Sequence, residues 1–260
     1  YFTLHGGRQT GKTTSTRWLV DHYNEGERYR ALWVDIQTAR DQPDPARAFR
    51  VVLAELDAAM SRELPDEPRP SSEDIERFLK TPEKAVGEYL HWICEAIELP
   101  MVVLFDEADG LVGQTMVSFL TQIRSGYIAR SKSDFPHSLA LIGMRQVRDY
   151  VLSEEDKIGV SWLGTTSPFN ITAEASTLEL FSRDDVEELL RLHTKKTGQA
   201  FKPIAVELVF ELSQGHPWLV NAIADQIVNR DVEDRSIVVT PEHVEVAKET
   251  IISERRSHID

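Results

Sequence analysis

The sequence holds a single cysteine, Cys94, among 260 residues. No disulfide can close within the chain, which excludes a small redox-stapled scaffold. Cys94 falls in an apolar helical pattern beside Ile93 and Ile97, where it reads as a small buried hydrophobe of a cytoplasmic protein. No stretch approaches the roughly 18 apolar residues of a membrane helix, and the opening YFTLHGG lacks the basic-then-apolar layout of a signal peptide. Positive charge is scarce. Lys and Arg number 29 against 43 Asp and Glu, a formal net charge of −14, which disfavours non-specific binding to nucleic-acid backbones or anionic membranes. The eight histidines show no paired zinc spacing, and no Ser-His-Asp or Cys-His arrangement is suggested by position. Trp18, Trp33, Trp92, Trp162 and Trp218 read as packing residues rather than base-stacking platforms, given the acidic surface.

The hydrophobic content of 41% supports a sizeable core, and the length suits one main domain with an appendage. The chain opens on Tyr1 inside a strand pattern and ends on SERRSHID without a closing signal, so it reads as a segment of a longer protein. Short apolar runs alternate with helical patterns over the first two thirds, which predicts a parallel sheet flanked by helices. The expected strands are Tyr1 to His5, Ala31 to Ile36, Met101 to Phe105, Leu139 to Ile142 and a weaker one at Phe169 to Ile171. Asp44 before Pro45, and Thr81 before Pro82, place a capping side chain ahead of a helix-opening proline. Val86, Leu90, Ile93 and Ile97 form one apolar stripe, and Pro65 to Ser72 reads as a surface loop. After about Thr172 only helical patterns follow. Ser182 with Asp185 resembles a capping box. Core stripes run through Val186, Leu189 and Leu190, through Val206, Val209 and Phe210, through Leu219, Ala222, Ile223 and Ile227, and through Val244, Ala247 and Ile251.

Three features carry chemistry. Gly6, Gly7, Arg8, Gln9, Thr10, Gly11, Lys12 and Thr13 match G-x-x-x-x-G-K-[ST] between a strand and a helical pattern, with Thr14 following. Glycines let the backbone aim N–H groups inward, the helix N-terminus adds its positive end, and Lys12 supplies a point charge, so a triphosphate fits. Thr13 is placed to offer its hydroxyl to Mg2+. Met101 to Phe105 then ends in Asp106 and Glu107, which a buried strand delivers at its carboxyl end. Asp106 suits the metal shell and Glu107 suits the general base for water attack. Finally, Leu139 to Gly143 leads through Met144 to Arg145, which reaches the γ-phosphate if this strand lies between the first and third. Arg148 is a weaker competitor.

In this order, the phosphate loop, the long crossover, the Phe-Asp-Glu strand and the strand ending in Gly-x-Arg resemble the AAA-like P-loop ATPases. The helical part with Gly215, His216 and Pro217 resembles the Gly-x-Pro element of the STAND-type signalling ATPases within them. GGRQTGKTT, FDEADGLVG, DFPHSLALIGMRQVRDY and SQGHPWLVNAIA are together similar to a group of bacterial and archaeal AAA-like ATP-binding proteins. The resemblance implies a five-stranded parallel sheet of order 5-1-4-3-2 in residues 1–175 and a smaller all-helical lid in 176–260. It also implies ATP and Mg2+ as ligands, with Pro217 against the adenine. No second sensor arginine is identifiable in the helical part, and Arg124 and Arg130 read as a solvated helix face rather than arginine fingers.

The implied function is a slow Mg2+-dependent ATPase whose cycle moves the lid and signals to a protein partner or a flanking effector domain. Two other readings stay open: a nucleotide-gated switch with negligible hydrolysis, and the ATPase module of a DNA-associated loader. The loader reading is opposed for this segment by net charge and by the missing winged-helix pattern. A small-molecule kinase is opposed by the lack of an arginine-rich lid.

Overall fold

The first strand, β1 (Phe2–His5), is short and runs straight into the glycine-rich loop, after which α1 (Lys12–Glu25) begins. The computed structural model describes residues 1–143 and 174–256. Then follow β2 (Arg30–Asp35), α2 (Pro45–Glu63), α3 (Ser72–Leu79), α4 (Pro82–Ala96), β3 (Met101–Asp106), α5 (Gly113–Ala129), β4 (Ser138–Gly143) and β5 (Glu174–Thr177). The strands form one parallel sheet in the order β2-β3-β4-β1-β5. This is the expected order, read from the other edge. The fifth strand is Glu174–Thr177, inside the stretch after Thr172 where only helices are expected, because its polar sequence EAST carries no apolar run and pairs at the sheet edge beside β1. The expected segment Phe169 to Ile171 lies outside the described residues, as does Trp162.

Strand periodicity sorts the side chains into two layers. Ala31, Val102, Leu104, Ala140 and Ile142 join Val20 of α1 in one cluster. Leu32, Val34, Val103, Phe105, Leu139 and Leu141 point the other way, into a core with Phe49, Leu53, Tyr89, Leu90, Ile93, Phe119 and Ile123 of α2, α4 and α5. All six residues of β3 are buried, because a central parallel strand is covered on both faces.

Local signals account for most helix starts. Asp44 accepts the Ala46 N–H ahead of Pro45, and Ser71 with Asp74 forms a capping box that starts α3 inside the proline-rich segment. That segment is therefore a loop only as far as Ser71. Thr81 precedes Pro82 but makes no side-chain capping bond, since the proline's fixed φ suffices to start the helix. Trp18 is also a correction: it is 64% exposed on α1, stacked on His22 one turn later with ring centroids 5.3 Å apart, because its position faces away from the sheet.

The contacts divide the chain into two units, Tyr1–Gly7 with Lys12–Leu178 and Arg8–Gly11 with Glu179–Asp260. Beyond Glu179 the described elements are α6 (Arg183–Thr197), α7 (Pro203–Ser213), α8 (Pro217–Gln226), which continues into a π-helical turn at Ile227–Asp231, and α9 (Pro241–Arg256). Ser182 and Asp185 form the expected capping box. Val186, Leu190, Val209, Val220, Ile223, Ile227, Val244 and Ala247 make the core of this unit. On α8 the fully buried stripe runs through Val220, not Leu219 and Ala222, which are half-buried. Among the described residues no helix is long and apolar enough to cross a membrane.

Candidate functional site

The loop between β1 and α1 takes the backbone shape its glycines permit. Gln9 and Gly11 both have positive φ, 59° and 92°, so the chain turns in the left-handed region before α1 starts at Lys12. Lys12 is buried, and its Nζ donates to the carbonyls of Gly6 and Gly7 at 2.8 and 2.7 Å. The Gly6 N–H donates to the Gly143 carbonyl at the end of β4. Thr13 and Thr14 occupy the first turn of α1, where backbone N–H groups have no intrahelical acceptor and the helix dipole favours an anion.

Asp106 ends β3 and is 1% exposed. The Thr13 hydroxyl donates to its Oδ2 at 2.8 Å across 93 residues of sequence. The Trp33 indole Nε1–H donates to the same oxygen at 3.2 Å, and the Glu107 N–H donates to Oδ1 at 3.0 Å. A hydroxyl beside a buried carboxylate is the hard-oxygen donor set that Mg2+ prefers, and a lysine heading the first turn of a helix fits a polyphosphate. The residues present therefore fit both groups.

Glu107 follows in the left-handed region, φ 56° and ψ 28°, a conformation uncommon for a non-glycine residue. Its carboxylate pairs with Arg40 at 2.5 Å. Burial pushes the Glu107 carboxyl up from the ordinary range, and the charges of Asp109 and Asp106 add to this; Arg40 and Lys12 oppose it. Such a raised carboxyl suits a proton acceptor. Arg40 lies just after the 3-10 turn Gln37–Ala39.

Lys12, Thr13, Asp106 and Glu107 are thus brought together within the first unit. Arg145, Met144 and Arg148 lie outside the described residues. In the second unit Pro217 is buried as the first residue of α8, and Gly215 has φ 72°. A Cβ on Gly215 would stand 1.9 Å from the Phe181 carbonyl oxygen, so only glycine fits there. Sequence reasoning missed Trp33 and Arg40. The strand parity that puts Trp33 on the Asp106 face was readable only with the β2–β3 register in hand, and nothing local marks Arg40.

Residues 2–151 match a family model described as an AAA domain. No curated protein matches the chain. Among solved structures, the Walker-type ATPase PABY2304 of Pyrococcus abyssi superposes with a TM-score of 0.61 at 18% identity, over 98% of this chain and 69% of that one. Cdc6p from Pyrobaculum aerophilum gives 0.59 at 16% identity, covering 96% and 61%. The RuvB Holliday junction branch migration motor of Thermotoga maritima gives 0.52 at 11%, also covering 96% and 61%. The chain thus spans about three fifths of the length of the latter two.

Proposed function

Because the chain belongs to the AAA domain family of P-loop ATPases, we propose that it binds ATP with Mg2+ and hydrolyses it slowly. One observation carries this reading: Thr13 and Asp106, far apart in sequence, meet at 2.8 Å beside the buried ammonium of Lys12. Mg2+, when bound, would supply positive charge to the β- and γ-phosphates. Thr13 would hold it through its hydroxyl oxygen, and Asp106 through its carboxylate by way of water. Lys12 has three N–H donors, and beyond its two loop carbonyls it serves a phosphate oxygen. Gly6 anchors the loop through its N–H on the Gly143 carbonyl, and the backbone N–H groups of Gly7, Arg8, Gln9, Thr10 and Gly11, with Thr14 on the helix, cradle the phosphates. Glu107 accepts the proton of the attacking water. Arg145, assigned from sequence, stabilises charge as the γ-phosphate leaves. Pro217 lies against the adenine, residues 176–260 act as the lid of a nucleotide domain at 1–175, and the cycle signals to a protein partner or flanking domain in the cytoplasm.

A second reading, a nucleotide switch with negligible turnover, is favoured by the Arg40–Glu107 ion pair, which ties the proton acceptor to a fixed cation. Titrations of ATP, ADP and GTP with and without Mg2+, on the natural chain and on Lys12→Ala, test the shared premise. The expected result is ATP binding that Lys12→Ala weakens by roughly 100-fold, the effect of removing a charge-assisted hydrogen bond to a phosphate. Comparable affinity in the variant refutes the site. Phosphate release then separates the readings: turnover that Glu107→Gln abolishes supports the ATPase, and no turnover in the natural chain supports the switch.

A further inference from the structure

Asp106 receives a donor that belongs to neither the phosphate loop nor its own strand. On β3, Val102 and Leu104 face the α1 layer, so Asp106, two residues on, faces it too. On β2, Ala31 and Trp33 face the same layer, and the register pairs Trp33 with Leu104. Trp33 is therefore the diagonal neighbour of Asp106, and its long side chain spans the gap to Oδ2. The indole is itself held. The guanidinia of Arg17 and Arg62 lie over its ring, 5.1 and 5.5 Å from the centroid, and Arg62 also donates to the Trp33 carbonyl at 3.0 Å. Arg17 stands one turn beyond Thr13 on α1, so the helix that carries the hydroxyl also grips the ring.

We propose that Trp33 is a positioning residue for the metal-holding carboxylate, its N–H locking Asp106 in the rotamer that serves a divalent cation; this rests on the nucleotide reading above. A carboxylate offers about four lone-pair directions. In this site Oδ2 takes Thr13 and Trp33, while Oδ1 takes the Glu107 N–H, which leaves one direction, on Oδ1, for the water shell that a bound cation would bring. The Thr13 hydroxyl serves both carboxylate and cation, so alone it is a loose tether for Oδ2. The indole N–H has no such second duty.

The test uses Trp33→Phe, which keeps an aromatic ring near both guanidinia but removes the N–H together with the pyrrole part of the indole. Some loss of melting temperature is therefore expected in any case, and the two affinities decide. Two quantities are read: ADP affinity in EDTA, and Mn2+ affinity of the protein–ADP complex by electron paramagnetic resonance. Removing a partner that orients a metal ligand costs on the order of tenfold in metal affinity. The expected result is a tenfold weaker Mn2+ affinity with ADP affinity in EDTA unchanged within twofold. A packing role would instead lower both affinities together, and would overturn the proposal, as would unchanged Mn2+ affinity. Should Trp33→Phe fail to fold, Arg17→Ala, which loosens the ring without touching Asp106, is expected to weaken Mn2+ severalfold with ADP binding in EDTA intact; equal Mn2+ affinity there overturns the proposal. The two readings fail separately: a natural chain that binds no ADP sinks the nucleotide site itself, and with it this role, whereas normal Mn2+ binding by Trp33→Phe sinks only the role of Trp33.

Discussion

At the scale of single residues, Glu107 sits under opposed influences. Burial and the neighbouring carboxylates of Asp109 and Asp106 raise its pKa, and Arg40 with Lys12 pulls it back. A general base works only when ionised, so in the proposed role of Glu107 turnover is expected to fall as pH drops through this raised pKa. Arg40→Ala removes an opposing cation and leaves burial and two like charges in place, so the Glu107 carboxyl rises further. The acidic limb of kcat/KM against pH is then expected to move to higher pH than in the natural chain. A limb that stays put, or moves down, means either that Arg40 does not set this group or that Glu107 is not the base. The same variant also unties the carboxylate, so a raised plateau at high pH, with the limb displaced, would mark Arg40 as a restraint on turnover.

At the scale of elements, β3 governs whether the site exists. It carries Asp106 at its end and is clasped on one face by Phe119 of α5, whose ring meets that of Phe105 edge-on at 5.1 Å and 87°. Truncating a fully buried phenylalanine costs about 3–5 kcal/mol. Phe105→Ala should lower the urea midpoint accordingly and, because Phe105 precedes Asp106, weaken nucleotide binding even below the transition. A destabilisation under about 1 kcal/mol would show that α5 can collapse into the gap. Strands β2, β3 and β4 were legible in the sequence because each is a continuous apolar run that stops abruptly, Phe105 giving way to Asp106 and Ile142 to Gly143, whereas β5, Glu174–Thr177, has no such run and was not. The phosphate loop was legible because its spacing encodes a backbone shape. What escaped depends on long-range geometry. Trp33 alternates with Leu32 and Val34 as any strand residue does, and its bond to Asp106 exists only through the register of two strands about 70 residues apart. Helix α3 was hidden by the prolines before it, which stop at its cap, Ser71. Trp18 shows the converse: a tryptophan in an amphipathic helix invites a core assignment, but its azimuth on α1 leaves it exposed.

At the scale of the whole chain, charge sets an expectation about partners that the fold alone leaves equal. An AAA domain is compatible with acting on nucleic acid or on protein. Affinity for duplex DNA comes largely from cations that displace counterions from the phosphates. In this chain the net charge is −14, and the described cations are repeatedly engaged by acids: Arg30 with Glu67, Arg50 with Glu76, Arg183 with Glu207, Arg191 with Glu188, Arg230 with Glu254 and Lys248 with Glu245. Releasing such an arginine onto a phosphate leaves its carboxylate facing the same backbone, so the exchange gains little. The chain should therefore bind a fluorescent 30-base-pair duplex more weakly than ~10⁻⁴ M at physiological salt, the weak end of non-specific binding, and lowering the salt should recover little affinity. Anisotropy titrations at several salt concentrations measure both. A plot of log affinity against log salt with a slope of about −5 would require five or six phosphate contacts. That result would mean that a cationic surface is assembled in spite of the composition, and the partner would then be sought among nucleic acids rather than proteins.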